Sequence, residues 1–156
     1  MKKEAPVWLD KPDVSSLQIG IVVARFNGTL TQSLLDQTVA TLLAYGLSES
    51  QIHIRWVPGA FELPFVAQKL IFSQVKISAV ICLGIVIQGD TPHFDFVCSE
   101  SARGIMNVSL KTEVPIVLGV LTTLTVEQAI ERVDPLRQNK GSEFARAALE
   151  LATLSF

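Results

Sequence analysis

The residues best suited to chemistry fall in four short segments of the sequence. These segments are residues 25–27, 58–62, 89–93 and 122–123, and each follows a predicted strand. In a parallel sheet, the loops after the strands share the edge at the strands' carboxyl ends, where ligands bind. We therefore predict one ligand site made from all four segments.

His93 is the candidate proton-transfer residue of this site. It falls in the first turn of a predicted helix, where the helix dipole disfavours imidazolium and a neutral ring can accept a proton. From position alone, a general base and a histidine that only hydrogen-bonds are equally good interpretations. The second histidine, His53, lies between strand residues and is predicted to be solvated.

Residues 84–91 have the glycine spacing of a Walker A loop, but Asp90 stands where the phosphate-binding lysine would be. A nucleotidase interpretation therefore fails. The turn at Gly89 still leads into a helix N-terminus, whose free N–H groups and positive dipole end suit a small phosphate. The carboxylate of Asp90 would then have to point away from that phosphate.

Other polar and aromatic residues admit two interpretations each. Phe26 and Asn27 could stack on a flat ring and fix it with an amide, although a phenylalanine after a strand is more often core. Glu62 could bind hydroxyl groups or favour the start of its helix. Arg132 could hold a phosphate or complement a helix dipole. Lys140 and Glu143 are predicted to form a solvated pair.

The composition predicts one domain that associates with copies of itself. The chain has 156 residues, of which 49% are hydrophobic, and its mean hydropathy is +0.40. We assign residues 18–156 to the domain and residues 1–17 to an N-terminal arm. A small monomer needs less apolar surface, which favours a homo-oligomer. The chain has 13 Lys and Arg and 15 Asp and Glu, so its net charge is slightly negative and no basic surface for nucleic acid is predicted.

Neither a membrane nor a metal is predicted as a partner. The charge-free stretches, residues 77–89 and 114–126, are shorter than the roughly 20 residues that cross a bilayer. The first residues lack the apolar core of a signal peptide, so we expect a cytoplasmic protein. Cys82 and Cys98 are too far apart for a C-x-x-C pair, and two histidines are too few for an ordinary metal cluster.

Strands and helices that alternate along the chain must position these residues. We predict strands over residues 19–24, 52–56, 79–83 and 116–121, and helices that begin near residues 31, 61, 91, 125 and 141. The third strand is expected to stop near Gly84, and Thr91 is expected to cap the helix that begins at Pro92. This order predicts an α/β fold of three layers, α/β/α, around a parallel sheet.

Six strings, in order, resemble the 6,7-dimethyl-8-ribityllumazine synthase family from Ile19 to the C-terminus. They are VVARFN (22–27), WVPGAFELP (56–64), GIVIQGDTPHFD (84–95), GVLTT (119–123), EQA (127–129) and NKG (139–141). The resemblance implies a flavodoxin-like four-stranded sheet. It also implies the condensation of 5-amino-6-(D-ribitylamino)uracil with 3,4-dihydroxy-2-butanone 4-phosphate, the penultimate step of riboflavin biosynthesis, with no cofactor.

The resemblance also implies roles for particular residues. The uracil and its ribityl chain would be bound by Phe26, Asn27, Ala60, Phe61, Glu62, Ile85, Val86, Ile87 and Leu118. The phosphate would be bound by Gly89, Asp90, Thr91 and Arg132, and His93 would transfer protons. Lys140 and Glu143 would support the site. Relatives usually carry phenylalanine at the position of Leu118, so weaker stacking on the heterocycle is expected here.

The family's members form pentamers with active sites between subunits. The resemblance therefore implies that Arg132 reaches into a neighbour's site and that the N-terminal arm can pair with a neighbouring sheet. A stretch that is glycine-rich in many shell-forming relatives differs here at residues 133–138, so a free pentamer and an icosahedral shell both stay open. Association with riboflavin synthase is a further expectation.

Three alternatives fit some of these residues. An archaeal-type riboflavin synthase shares the expected fold, but residues 58–64 and 89–95 match it less well. A non-catalytic flavin-binding module would explain the loops at the strand ends without requiring His93 or Arg132. A structural shell protein would explain the apolar surface and leave the polar loops without a role.

Overall fold

The computed structural model describes residues 4, 6–8 and 10–156. The predicted arm, residues 1–17, therefore lies partly outside the described residues. Within its described part, Val14 and Leu17 are buried against the core, and the Gln51 side-chain amide donates to both of their carbonyl groups at 2.8 Å. No described helix is long and apolar enough to cross a membrane.

In the part of the chain that the structure describes, four parallel strands form the central sheet, as predicted. They are β1 (Ile19–Ala24), β2 (Ile52–Val57), β3 (Ala79–Ile87) and β4 (Ile116–Thr123), in the order β2-β1-β3-β4. β1 and the first part of β3 are buried on both faces, which is why their sequences are continuously apolar. β2 lies at an edge and is only half-buried, which agrees with its alternating sequence.

Among the described residues, five α-helices cover the two faces of the sheet and complete the predicted three layers. They are α1 (Gly28–Ala44), α2 (Leu63–Ile71), α3 (His93–Thr112), α4 (Val126–Val133) and α5 (Lys140–Ala152). Apolar residues of α1, α4 and α5 pack with one face of the sheet, and those of α2 and α3 pack with the other. The flavodoxin-like fold class that the resemblance implied is confirmed.

The third strand is longer than predicted. Gly84 does not end β3, because residues 84–87 continue the ladder with residues 120–123 of β4. Pairing with a neighbouring strand thus outweighs the weak strand preference of glycine. As a result, Ile85, Val86 and Ile87 are strand residues rather than part of a loop.

Three helix starts also differ from the prediction. α2 begins at Leu63 rather than near residue 61, because a short 3-10 helix occupies Ala60–Glu62. α1 begins at Gly28 because Asn27 adopts a left-handed conformation, with φ 58°, and its carbonyl accepts from the Leu30 and Thr31 amides. α3 begins at His93, with Pro92 rather than Thr91 as the capping residue. Thr125 caps α4 as predicted, since its side chain accepts from the Gln128 amide at 3.2 Å.

Candidate active site

A cavity of about 450 Å³ opens at the carboxyl ends of β1, β2 and β3. It is lined by Phe26, Asn27, Gly59, Ala60, Phe61, Glu62, Ile85, Val86, Ile87, His93, Phe96 and Val97. The lining comes from two loops, the end of β3 and the first turn of α3. The cavity is therefore where the rule for parallel sheets places a ligand.

Most of the predicted site residues meet in this cavity. Phe26, Asn27, residues 60–62, residues 85–87 and His93 all line it. Gly89, Asp90 and Thr91 do not line the cavity and are exposed in the loop between β3 and α3. That loop joins two parts of the cavity wall, since Ile87 precedes it and His93 follows it.

The loops after β1 and β2 are tied together by backbone hydrogen bonds. The Arg25 amide donates to the Val57 carbonyl at 2.8 Å, and the Phe26 amide donates to the Pro58 carbonyl at 3.1 Å. The Phe26 ring lies against Gly59, where a Cβ would stand 3.2 Å from the ring. Phe26 is 72% exposed, so the core interpretation of this residue is wrong.

Glu62 closes the turn that follows β2. One of its carboxylate oxygens, Oε2, accepts from the Gly59 amide at 3.0 Å, and the turn continues into α2. Of the two interpretations that the sequence left open, the structural one at the helix start is confirmed. The half-buried side chain also lines the cavity, so binding of a hydroxyl group stays a prediction.

The end of β3 presents backbone groups to the cavity. β1 pairs with β3 only as far as Val23 and Leu83, whereas β4 accompanies β3 to its end. The Gln88 amide donates to the Thr123 carbonyl, so the backbone of Gln88 faces β4. Successive residues of a strand face opposite neighbours, and the N–H and C=O of Ile87 therefore face the side that β1 has left.

His93 is the first residue of α3, and its exposed side chain lines the cavity. Its backbone amide lies 3.4 Å from the Thr91 hydroxyl oxygen. His93 therefore lines the cavity and follows the Gly89–Thr91 loop in the chain, with only Pro92 between them. His53 differs from its prediction, because its ring is half-buried and hydrogen-bonded to the Gln18 side chain at 2.7 Å.

Sequence reasoning missed two residues of α3 that line the cavity, Phe96 and Val97. They follow His93 by three and four positions, which places all three on one face of the helix. That spacing was the available signal. Phe96, Phe61 and Phe26 are 68%, 62% and 72% exposed, and three exposed aromatic rings around one cavity are typical of a site for a flat ligand.

Four other predicted residues lie outside this cavity within one chain. Leu118, 47% exposed on β4, lines a separate recess of about 280 Å³ between β4 and α3. Arg132 is half-buried on α4, where its guanidinium donates to the Gln128 carbonyl at 2.8 Å. Lys140 and Glu143 pair as predicted, with 2.7 Å between ammonium and carboxylate at the start of α5, but both side chains are half-buried rather than solvated.

The cysteines do not have the environment of reactive nucleophiles. Cys82 is buried in β3, and burial raises the pKa of its thiol to about 12. Burial and the nearby Asp95 carboxylate also raise the pKa of the Cys98 thiol. Among the described residues, no three His, Cys, Asp or Glu side chains are grouped to hold a metal ion.

A four-stranded parallel sheet with an aromatic cavity at its strand ends defines a flavodoxin-like class of protein that binds small molecules. The family model for 6,7-dimethyl-8-ribityllumazine synthase matches residues 16–155. A 6,7-dimethyl-8-ribityllumazine synthase of Protochlamydia amoebophila (strain UWE25) is 48% identical over 145 residues, which cover 93% of this chain and 84% of the relative. The chain belongs to the 6,7-dimethyl-8-ribityllumazine synthase family.

Proposed function

We propose that this protein is a transferase that condenses 5-amino-6-(D-ribitylamino)uracil with 3,4-dihydroxy-2-butanone 4-phosphate. The products are 6,7-dimethyl-8-ribityllumazine, phosphate and water. The observation that carries the proposal is the aromatic cavity, which unites most of the predicted site residues in a chain of this family. A riboflavin synthase, a binding module and a shell protein are not favoured by the family match.

The cavity suits the uracil substrate in three ways. Phe26 offers an exposed ring on which the pyrimidine can stack. The N–H and C=O of Ile87, on the free edge of β3, can pair with the polar edge of that ring, and Ile85 and Val86 form the rest of this wall. Ala60, Phe61 and Glu62, which line the cavity beside Phe26, would contact the ribityl chain.

The second substrate would bind at the start of α3. Gly89, Asp90 and Thr91 precede this helix, whose N-terminal amides and dipole favour a phosphate group. His93 follows this loop and lines the cavity, so it can exchange protons as the uracil amine attacks the ketone and water leaves. Catalysis then rests mainly on holding the two substrates in register, with acid-base help from His93.

The remaining residues would come from a neighbouring subunit of a homopentamer. Arg132 and Leu118 lie away from the cavity of their own chain, and Arg132 would complete the phosphate site of the next. Exposed apolar side chains on α2 and α3 favour burial between subunits; they are Phe65, Met106 and Leu110, 59–71% exposed. Lys140 and Glu143 would support the site. The sedimentation rate would distinguish a pentamer from a shell. With riboflavin synthase added, it would also show whether the two proteins associate.

The direct test supplies both substrates and follows lumazine absorbance and fluorescence together with phosphate release. We expect lumazine and phosphate to form together, well above the spontaneous rate. Phe26→Ala should weaken binding of the uracil, whereas Phe156→Ala, which removes an exposed ring at the C-terminus, should leave it unchanged. Lumazine formation no faster than the spontaneous reaction would contradict the proposed activity. Conversion of lumazine to riboflavin would identify the alternative enzyme instead.

A further inference from the structure

Asn27 makes an unusual hydrogen bond for a residue at the start of a helix. It caps α1 through its backbone, but its side chain does not bond to the helix. Instead, its Nδ2 donates to the carbonyl of Ile85 at 2.8 Å, 58 positions along the chain. Asn27 holds the left-handed conformation, with φ 58° and ψ 44°, that turns the chain from β1 into α1.

This hydrogen bond replaces a missing strand contact. β1 ends at Ala24, and the next amides, those of Arg25 and Phe26, donate to carbonyls at the end of β2 rather than to β3. β3 continues to Ile87 with only β4 beside it. The Ile85 carbonyl faces the side that β1 has left, and the Asn27 amide is its partner there.

We infer that Asn27 is a positioning residue for the uracil substrate. Its amide anchors Ile85, so that the backbone of Ile87, next on the same edge of β3, faces the cavity at a fixed distance from the Phe26 ring. Because Asn27 follows Phe26 directly, its side chain fixes two walls of the cavity relative to each other: the Phe26 ring, on which the uracil stacks, and the backbone edge of β3. This inference rests on the proposed function, since it names the substrate whose ring lies between those walls.

Two variants separate the amide from the backbone conformation. Asn27→Gly keeps the left-handed turn without strain and removes the amide. Asn27→Asp keeps the shape but cannot donate to a carbonyl at neutral pH. Loss of this hydrogen bond should raise the KM for the uracil by about fivefold or more in both variants. The KM for the butanone phosphate and kcat should stay within about twofold of the parent values, because the phosphate loop and His93 are untouched.

The matched control is Glu113→Gly. Glu113 is also left-handed, with φ 57°, but it lies exposed at the end of α3, away from the cavity. This variant shows how a glycine at a left-handed position outside the cavity affects the kinetics. We expect both KM values of this variant to equal those of the parent enzyme.

Amide hydrogen exchange in the substrate-free protein distinguishes positioning from direct substrate contact. Without the anchor, the amides of residues 85–88 should exchange faster in both Asn27 variants and not in Glu113→Gly. Unchanged exchange, or faster exchange with an unchanged KM for the uracil, overturns the inference. Failure of the proposed function has a different signature, namely no lumazine from the unmodified enzyme.

Discussion

At the scale of single residues, His93 shows how far chemistry can be inferred from position. Its place at the start of α3 was predicted from a proline and a threonine nearby, and its place in a ligand site was predicted from the rule for parallel sheets. Phe96, three positions after His93, was missed although that spacing was a signal. An aromatic residue at helical spacing is usually core, and only packing shows that this ring is 68% exposed beside the cavity.

His93→Ala should slow the enzyme without stopping it. General acid-base help is worth about 10²–10⁴-fold, and substrate positioning is unaffected by the change, so kcat should fall by no more than that factor. Steady-state kinetics measure the effect. The control is His53→Ala, which removes a ring on β2 that is bonded to the Gln18 side chain and should leave kcat unchanged. Complete loss of activity with intact substrate binding would contradict this division of roles.

Leu118→Phe should tighten binding of the uracil. If Leu118 faces the heterocycle in a neighbour's cavity, an aromatic ring adds a stacking contact worth about 0.5–1.5 kcal/mol, or about two- to tenfold in Kd. Equilibrium binding of the uracil measures it. Leu136→Phe adds a ring at a site that is 93% exposed and should not change Kd. An unchanged or higher Kd for Leu118→Phe rejects the stacking role.

At the scale of elements, the parallel sheet and the three layers were predicted from sequence patterns, but the ends of the elements were not. Continuous apolar runs predicted β1 and β3, and alternation predicted the edge strand β2. The extension of β3 through Gly84 depends on pairing with β4, a tertiary contact that no local pattern contains. The left-handed Asn27, which starts α1 early, is likewise stabilised by a partner far along the chain.

Gly141→Ala should destabilise the packing of α5 on α1. A Cβ at Gly141 would lie 2.6 Å from the Leu34 carbonyl oxygen and 2.9 Å from Gln37, so the helices would have to separate. Overpacking of this kind costs about 1–3 kcal/mol, measured as a lower urea midpoint with an unchanged slope. Gly28→Ala, where nothing lies within 4 Å, is the control. Equal midpoints for the two variants would show that α5 adjusts freely.

At the scale of the whole molecule, a buried thiol should make folding sensitive to alkaline pH. Burial raises the pKa of Cys82 from 9.0 to about 12, so the folded protein keeps a proton that the unfolded chain loses. This contribution to stability is fully present below pH 9 and is lost as the pH rises toward 12. Above about pH 9, the free energy of unfolding should fall more steeply with pH than it does in Cys82→Ala. The difference in slope corresponds to the release of up to about one proton on unfolding. Parallel pH profiles would contradict this assignment.

We propose that the cavity of one chain becomes an active site only with a neighbour's Arg132. Complementation tests it directly. Arg132→Ala lacks the guanidinium, and the double variant Phe26→Ala, Phe61→Ala lacks two rings of the cavity. Each should be nearly inactive in lumazine formation. After the two are unfolded together and refolded as a mixture, random assembly unites an intact cavity with an intact Arg132 at about one site in four.

We therefore predict that the mixture recovers about a quarter of the parent activity, since each restored site combines two chains. Activity equal to that of the separately refolded variants would show that Arg132 does not complete a neighbour's site.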